Sequence, residues 1–231
     1  MANRVSAIIP AFNEADIIAE TIQAVSRIPE VTQIVVVDDG SSDNTASVAF
    51  AMRAGPVVQL DRNRGKGGAL NKALSQVNGE ILLLLDADLG RSAAEAVSLL
   101  EPVLNGEADM TVAVFKSVED DGKLSSRSGG LGLVMKTARL GIRILGGKWV
   151  DAPLSGQRAF RREVVDKHGF APKFGVEVGL TIDALRAGYR VLEVPVRMVH
   201  RPSGRSVRGF MHRGRQMADV LLTLGRKALR R

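Results

Sequence analysis

The sequence predicts one α/β domain in which a mostly parallel sheet is flanked by helices, with a basic helix at the C-terminal end. Short apolar runs alternate with amphipathic segments over the first 115 residues, which is typical of βαβ units. The chain has 231 residues, 45% of them hydrophobic, and this length suffices for one core but is marginal for two. It has no cysteine, which excludes disulfides, thiolate metal sites and a cysteine nucleophile.

The predicted strands and helices of the first half follow one another along the chain. The strands, each a run of apolar and often β-branched residues, are residues 5–9, 33–38, 57–60, 81–85 and 110–115. The helices, whose apolar residues recur at helical spacing, are residues 14–27, 44–53, 69–76 and 92–104. Because ligands bind beyond the carboxyl ends of parallel strands, we expect the chemistry in the loops that follow these strands.

After residue 125 this alternation ends. The sequence there predicts helices at residues 129–147 and 178–186, an extended segment at 190–199, and a last helix after residue 207. In that last helix we expect an apolar stripe formed by Phe210, Met217, Leu221 and Leu224. The chain therefore contains two amphipathic elements, the 129–147 segment and the C-terminal helix.

The net charge of +7 is concentrated at the C-terminal end. Residues 201–231 hold nine basic side chains and one acidic, whereas the preceding 200 residues sum to −1. This distribution indicates a local anionic partner, either phosphate, nucleic acid or an acidic lipid surface. Nucleic acid is not expected, because Phe210 is the one aromatic residue of this segment and offers no stacking platform. No apolar run approaches the ~20 residues that span a bilayer, so we expect a cytoplasmic protein whose membrane contact is at most peripheral, at the inner face.

Two predicted strands end in paired carboxylates. The segment IVVVDDG ends in Asp38 and Asp39, which can accept hydrogen bonds from ribose hydroxyls or from a base. The segment ILLLLDADL ends in Asp86 and Asp88, whose hard oxygen atoms suit Mg²⁺ or Mn²⁺. Ordinary turn and capping chemistry is the alternative explanation at both places.

A basic, glycine-rich loop lies between these two strand ends. It has the sequence RNRGKGG at residues 62–68, and its backbone N–H groups and Lys66 can approach a phosphate or a base. It matches neither the phosphate-binding loop of NTPases nor the dinucleotide-binding fingerprint, and a flexible surface loop is the alternative.

Taken together, these motifs carry a family resemblance. The segments PAFNE, VVVDDGSSDNT, NRGKGGALN and DADL occur in this order, followed by DAPLSGQRAF and LEVPVRMVHRPSGRS. The series resembles the family-2, nucleotide-sugar-dependent glycosyltransferases of the Rossmann-like A-type fold. It is most similar to polyprenyl-phosphate mannosyl- and glucosyltransferases and to their relatives that glycosylate phosphorylated acids.

The resemblance implies roles for individual residues. It implies a nucleotide-sugar site lined by Pro10, Phe12, Glu14, Asp39, Lys66, Asp86 and Ala87. It implies that Asp88 holds Mg²⁺ or Mn²⁺ and that His200 is a further metal ligand, although a lone histidine is more often structural. It places cations for the donor or acceptor phosphates at Lys116, Arg201 and Arg205.

A catalytic base is needed only if the acceptor is a hydroxyl, and Glu177 and Asp151 are then the candidates. For Glu177 the alternative is a carboxylate that stabilises a helix start. Gly90 and Gln157 depart from the pattern of polyprenyl-phosphate enzymes, which bears on the acceptor and not on the donor.

The resemblance implies a metal-dependent, inverting transfer of a hexose from an NDP-sugar, such as UDP-glucose or GDP-mannose, to a phosphorylated acceptor, foremost polyprenyl phosphate. A soluble acceptor, a nucleotidyltransferase and a nucleic-acid-binding protein are the alternatives. We expect a catalytic domain over residues 1–206, with a nucleotide-sugar half at 1–115 and an acceptor half at 116–206. The helix at 207–231 would then meet an anionic membrane surface or pack on the domain with its arginines towards solvent or substrate.

Overall fold

The computed structural model describes residues 4–115, 132–172, 175–200 and 207–229, with the side chains of the last segment described from residue 217 onward. Its sheet contains seven strands. These are β1 (Val5–Ala11), β2 (Val31–Asp38), β3 (Val57–Gln59), β4 (Ile81–Leu84), β5 (Met110–Phe115), β6 (Arg158–Arg161) and β7 (Val191–Val196).

The helices alternate with the strands in the first half and follow one another more closely in the second. They are α1 (Ile18–Val25), α2 (Thr45–Ala51), α3 (Lys66–Ala73), α4 (Val97–Leu104), α5 (Gly132–Gly146), α6 (Glu163–Asp166), α7 (Val176–Arg186) and α8 (Val207–Leu229). A 3₁₀ segment, Ala87–Ala96, precedes α4 and breaks at Gly90, whose φ is +53°. The helix predicted over residues 92–104 is therefore a true α-helix only in its second part.

The strand order is β3-β2-β1-β4-β6-β5-β7, and every neighbouring pair is parallel except those that involve β6. The prediction of a mostly parallel sheet is thus confirmed. Leu84 at the end of β4 pairs with Arg158 at the start of β6. The antiparallel direction of β6 therefore brings the loop before it to the carboxyl end of β4.

Both faces of the sheet are covered by helices, as expected for a parallel sheet. On one face α1 and α4 bury Ile22 and Leu99 among strand residues. On the other face α3, α6 and α7 bury Leu70, Val164 and Leu180. A third apolar cluster joins α5, α7 and α8.

The predicted stripe of the C-terminal helix is partly wrong. Met217 and Leu224 pack against the third cluster, but Leu221 is 52% exposed and the buried positions are Val220 and Thr223. Phe210 lies outside the residues whose side chains are described. Within the described part of the chain, no helix is long and apolar enough to cross a membrane. The division at residues 206 and 207 stays a prediction.

Candidate active site

The loops after β1 and β2 are joined by hydrogen bonds. The backbone N–H of Asn13 donates to Ser41 Oγ at 2.9 Å, and the N–H of Ser42 donates back to Asn13 Oδ1 at 2.8 Å. The N–H of Glu14 donates to Thr45 Oγ1 at 2.8 Å. Asn13 has a φ of 58°, in the left-handed region that asparagine tolerates better than most residues. The motifs PAFNE and DDGSSDNT therefore form one rigid wall.

Asp39 joins this wall to the basic loop. Its Oδ1 accepts a hydrogen bond from the backbone N–H of Arg64 at 2.7 Å, and its own N–H donates to the carbonyl of Ala11 at 2.8 Å. Burial raises the pKa of the Asp39 carboxyl, although the N–H groups of Arg64 and Gly65 oppose the shift. Gly40 has a φ of +72°, and a side chain there would collide with the backbone of Arg62. The close approach of the two loops thus requires glycine.

Lys66, at the start of α3, lies at the centre of a charged cluster. Its Nζ is 2.6 Å from Asp86 Oδ1 and 3.0 Å from Glu177 Oε1. Gln157 Nε2 donates to the other oxygen of Asp86 at 2.6 Å. A Cβ at Gly156 would collide with both the Lys66 ammonium and the Asp86 carboxylate. The cluster joins α3, the end of β4, the loop before β6 and the start of α7.

The mutual proximity of these groups sets their protonation states. Burial alone would raise the pKa of Asp86, but the charge and hydrogen bond of Lys66 hold that pKa below its usual value. Burial would likewise lower the pKa of Lys66, but Asp86 and Glu177 raise it. Asp86 and Lys66 are therefore a carboxylate and an ammonium at neutral pH.

Asp88 and His200 meet beside this cluster. His200 Nδ1 lies 3.0 Å from Asp88 Oδ1, and the His200 ring stacks on Phe115 with 4.8 Å between ring centroids. Burial opposes protonation of His200, but the hydrogen bond and charge of Asp88 and the charge of Asp86 raise its pKa. One potential ligand atom from each of Asp86, Asp88 and His200 lies within 4.8 Å of the others. Two carboxylates and an imidazole at this spacing fit a divalent cation such as Mg²⁺ or Mn²⁺.

Asp151 is engaged elsewhere. Its Oδ1 accepts a hydrogen bond from Trp149 Nε1 at 3.0 Å, its carbonyl accepts two from Arg139, and its N–H donates to Glu193 Oε2 at 2.9 Å. The role predicted for it as a base stays a prediction.

The structure brings five of the residues singled out from the sequence into direct contact or near contact: Lys66, Asp86, Asp88, Glu177 and His200. Pro10 and Phe12 lie at the end of β1, Phe12 with its ring exposed, and Ala87 is buried with its carbonyl accepting from Thr21 at 2.7 Å. Lys116, Arg201 and Arg205 lie outside the described residues.

Three residues of the site were not predicted from the sequence. The sequence marks Gln157 only as a departure from a pattern and Arg158 only as a member of the segment DAPLSGQRAF, with no role for either, and Phe115 has no local signal. Arg158 is fully buried, and it donates to the carbonyls of Pro153 and Ser155, which fixes the loop that carries Gln157. Burial lowers the pKa of Arg158 to about 10.

Comparison with known proteins identifies the family. Residues 6–169 match the sequence profile described as glycosyl transferase family 2. The chain belongs to this family. The profile spans every motif from the end of β1 to β6, so the charged cluster, apart from Glu177, lies within the matched part of the family 2 domain.

Two curated relatives differ in the acceptor that they name. The chain is 32% identical to glucosyl-3-phosphoglycerate synthase of Mycobacterium tuberculosis over 194 residues, which cover 78% of this chain and 60% of that protein. It is 28% identical to undecaprenyl-phosphate 4-deoxy-4-formamido-L-arabinose transferase of Edwardsiella ictaluri over 237 residues, which cover 98% of this chain and 69% of that protein. The chain thus spans less than two thirds of the mycobacterial relative's length.

The fold is that of a solved relative. The crystal structure of the M. tuberculosis glucosyl-3-phosphoglycerate synthase with Mn²⁺, uridine diphosphate and phosphoglyceric acid superposes with a TM-score of 0.78 at 27% identity, covering 97% of this chain and 78% of that one. The family 2 domain described here therefore has the A-type glycosyltransferase architecture that the motifs imply.

Proposed function

We propose that this chain is a Mg²⁺- or Mn²⁺-dependent hexosyltransferase that moves a sugar from an NDP-sugar, specifically a UDP-sugar, to a phosphorylated acceptor. One observation carries the proposal: in this family 2 chain, Asp88 Oδ1, which follows β4, and His200 Nδ1, outside the matched residues, lie 3.0 Å apart. Adjacent ligands of an octahedral ion with bonds of 2.0–2.1 Å are about 3 Å apart, so this pair needs little movement to bind one ion.

Asp86 and Asp88 have different surroundings, which supports different roles for them. Both oxygens of Asp86 accept hydrogen bonds from protein donors, Lys66 and Gln157. Asp88 faces His200. We therefore assign Asp88 and His200 to the metal and Asp86 to the nucleoside, held in one orientation by its two donors.

The chain's own residues prepare the donor site in this proposal. When bound, the metal ion neutralises the charge that develops on the departing nucleoside diphosphate. Asp39 and Glu14, on the wall formed by the first two strand ends, orient the ribose and the base. Lys66 keeps Asp86 ionised and places a positive charge beside the nucleotide.

The ion pair of Glu177 favours an acceptor that reacts through a phosphate oxygen over one that reacts through a hydroxyl. Glu177 is ion-paired with Lys66 at 3.0 Å, and uptake of a proton would neutralise its carboxylate and remove this ion pair. Asp151 Oδ1 accepts a hydrogen bond from Trp149 Nε1. A phosphate oxygen is already a nucleophile, so transfer to polyprenyl phosphate needs no base, whereas transfer to the hydroxyl of 3-phosphoglycerate would need one.

A transfer assay tests the proposal. The protein is incubated with UDP-glucose or GDP-mannose and with 3-phosphoglycerate or undecaprenyl phosphate, and the released nucleoside diphosphate and the glycosylated product are measured. We expect release of UDP that requires Mg²⁺ or Mn²⁺ and one of the two acceptors. The anomeric configuration of the product, read by NMR, tests the inversion that the sequence resemblance implies.

Two matched variants sharpen this assay. Asp88→Ala should lower turnover by at least about 100-fold, because it removes a metal ligand. Glu101→Ala, which removes an exposed carboxylate on α4, should leave turnover unchanged. Undiminished turnover in EDTA would refute the metal requirement, and pyrophosphate release from a nucleoside triphosphate would favour a nucleotidyltransferase.

A further inference from the structure

Helices α5 and α8 form an outer layer of the molecule that α7 separates from the sheet. Val176 and Leu180 of α7 pack in the cluster that includes sheet residues, whereas Val178 and Ile182 pack in the cluster shared with α5 and α8. The sides of α5 and α8 that point away from α7 therefore face away from the body of the protein.

These outward sides carry large aliphatic side chains. We call them the outer face, and its apolar members are Leu133, Leu140 and Ile144 of α5 and Leu221, Leu222 and Leu229 of α8. Their exposed fractions run from 52% to 89%, and they are six of the eleven large hydrophobic side chains that are exposed in the described part of the chain. At 3.6 residues per turn, the three residues of α5 lie within an arc of about 40°, whereas the three of α8 span about 100°. Such clustering is not expected of an ordinary solvated surface.

The same two helices carry the net charge of the protein. Helix α5 has three basic residues and no acidic one, and α8 has five basic residues and one acidic. Together they account for the whole net charge of +7. Lys136 and Arg143 of α5 and Arg226 of α8 are exposed, as are the aliphatic residues of the outer face.

We infer that the outer face is a docking surface for an anionic membrane. Aliphatic side chains bury their area among acyl chains, while lysine and arginine at the border pair with acidic headgroups. The charge of the two helices favours such a surface over a neutral one. The inference goes beyond the transferase activity, because it concerns where the protein is held and not what its site does.

Other occupants of the outer face are less well matched. A second copy of the chain would bring two layers of like charge together, which opposes a dimer through this face. A nucleic acid would find cations, but among the side chains of the two helices that the structure describes, none of the exposed apolar ones is aromatic.

Vesicle flotation tests the inference. The full chain is mixed with vesicles of phosphatidylcholine containing phosphatidylglycerol or of phosphatidylcholine alone, at low salt and at about 1 M NaCl, where the Debye length falls to about 3 Å. We expect flotation with the anionic vesicles at low salt, a strong decrease at high salt, and none with phosphatidylcholine alone.

Two variants locate the contact. Leu140→Glu together with Ile144→Glu should reduce the bound fraction at least tenfold, whereas Phe50→Glu, which changes an equally exposed residue on α2, should not reduce it. Circular dichroism and UDP binding check that each variant is folded. Asp88→Ala should float as the wild type does, so membrane binding and sugar transfer can fail independently.

Either of two results would overturn the inference: no flotation of the wild type with anionic vesicles, or undiminished flotation of the double variant. Light scattering provides a further test. A wild-type dimer that is replaced by a monomer in the double variant would also overturn the inference, because the outer face would then bind a second copy of the chain.

Discussion

Replacing Lys66 by methionine should destabilise the protein strongly, because this one ammonium compensates two carboxylates. The side chains of Lys66, Asp86 and Glu177 are only 19%, 28% and 10% exposed. Removing one partner of a buried ion pair costs about 3–5 kcal/mol. Asp86 keeps its hydrogen bond from Gln157, so we take the lower end, about 3 kcal/mol. For a domain of this size that loss lowers Tm by about 6–12 °C.

The effect should depend on pH. In the folded wild type the pKa of Asp86 is lower than its ordinary value of 3.8. The ionised Asp86 therefore stabilises the fold at a pH above 3.8, and this stabilisation is lost as the pH falls through the lower pKa of the folded state. Without Lys66, the ammonium no longer opposes the effect of burial, which raises the pKa of Asp86, and protonation of Asp86 relieves its repulsion with Glu177. The difference in Tm between the wild type and Lys66→Met should therefore shrink as the pH is lowered from neutral towards the ordinary pKa of Asp86, 3.8.

Thermal unfolding followed by circular dichroism measures this difference. Lys72→Met, which removes an exposed ammonium on the same helix, is the matched control and should change Tm by less than about 2 °C. Adding Glu177→Gln to Lys66→Met should restore part of the lost stability. If Lys66→Met and Lys72→Met have the same Tm, the charged cluster contributes nothing to the stability of the fold, and the prediction is refuted.

Three further predictions concern the site. Asp39→Asn should raise KM for the donor at least tenfold with little change in kcat, since Asp39 is assigned to ribose and base; an opposite pattern in steady-state kinetics contradicts the assignment. Mn²⁺ affinity, measured by calorimetry, should fall as the pH is lowered from 8 to 6, because the raised pKa of His200 lets a proton compete with the ion; a flat profile argues against ligation by His200. Phe115→Ala should weaken Mn²⁺ binding several-fold, because the stacked ring of Phe115 orients His200. If the variant and the wild type bind Mn²⁺ with the same affinity, Phe115 does not orient His200 for the metal.

The C-terminal helix shows where sequence reasoning fails for lack of packing information. Its amphipathic pattern predicts a helix, which the structure contains as α8. The pattern does not say which side is buried, because leucines occupy both sides. The buried side includes Thr223, which lies against Gly175 and Gly179, and Leu224, which lies against Gly141, and it excludes Leu221.

The sequence by itself determined the parallel βαβ half of the fold and the carboxylates at its strand ends. Alternating apolar runs and turn-forming residues are patterns of neighbouring residues, so they can be recognised without the tertiary structure. The antiparallel insertion of β6, four residues long and with arginine at both ends, has no such local signal. Only the tertiary structure therefore decided that Gln157 reaches Asp86, that Glu177 shares Lys66, and that Phe115 stacks on His200. These contacts join residues 71 to 111 positions apart along the chain, and long-range packing sets such distances.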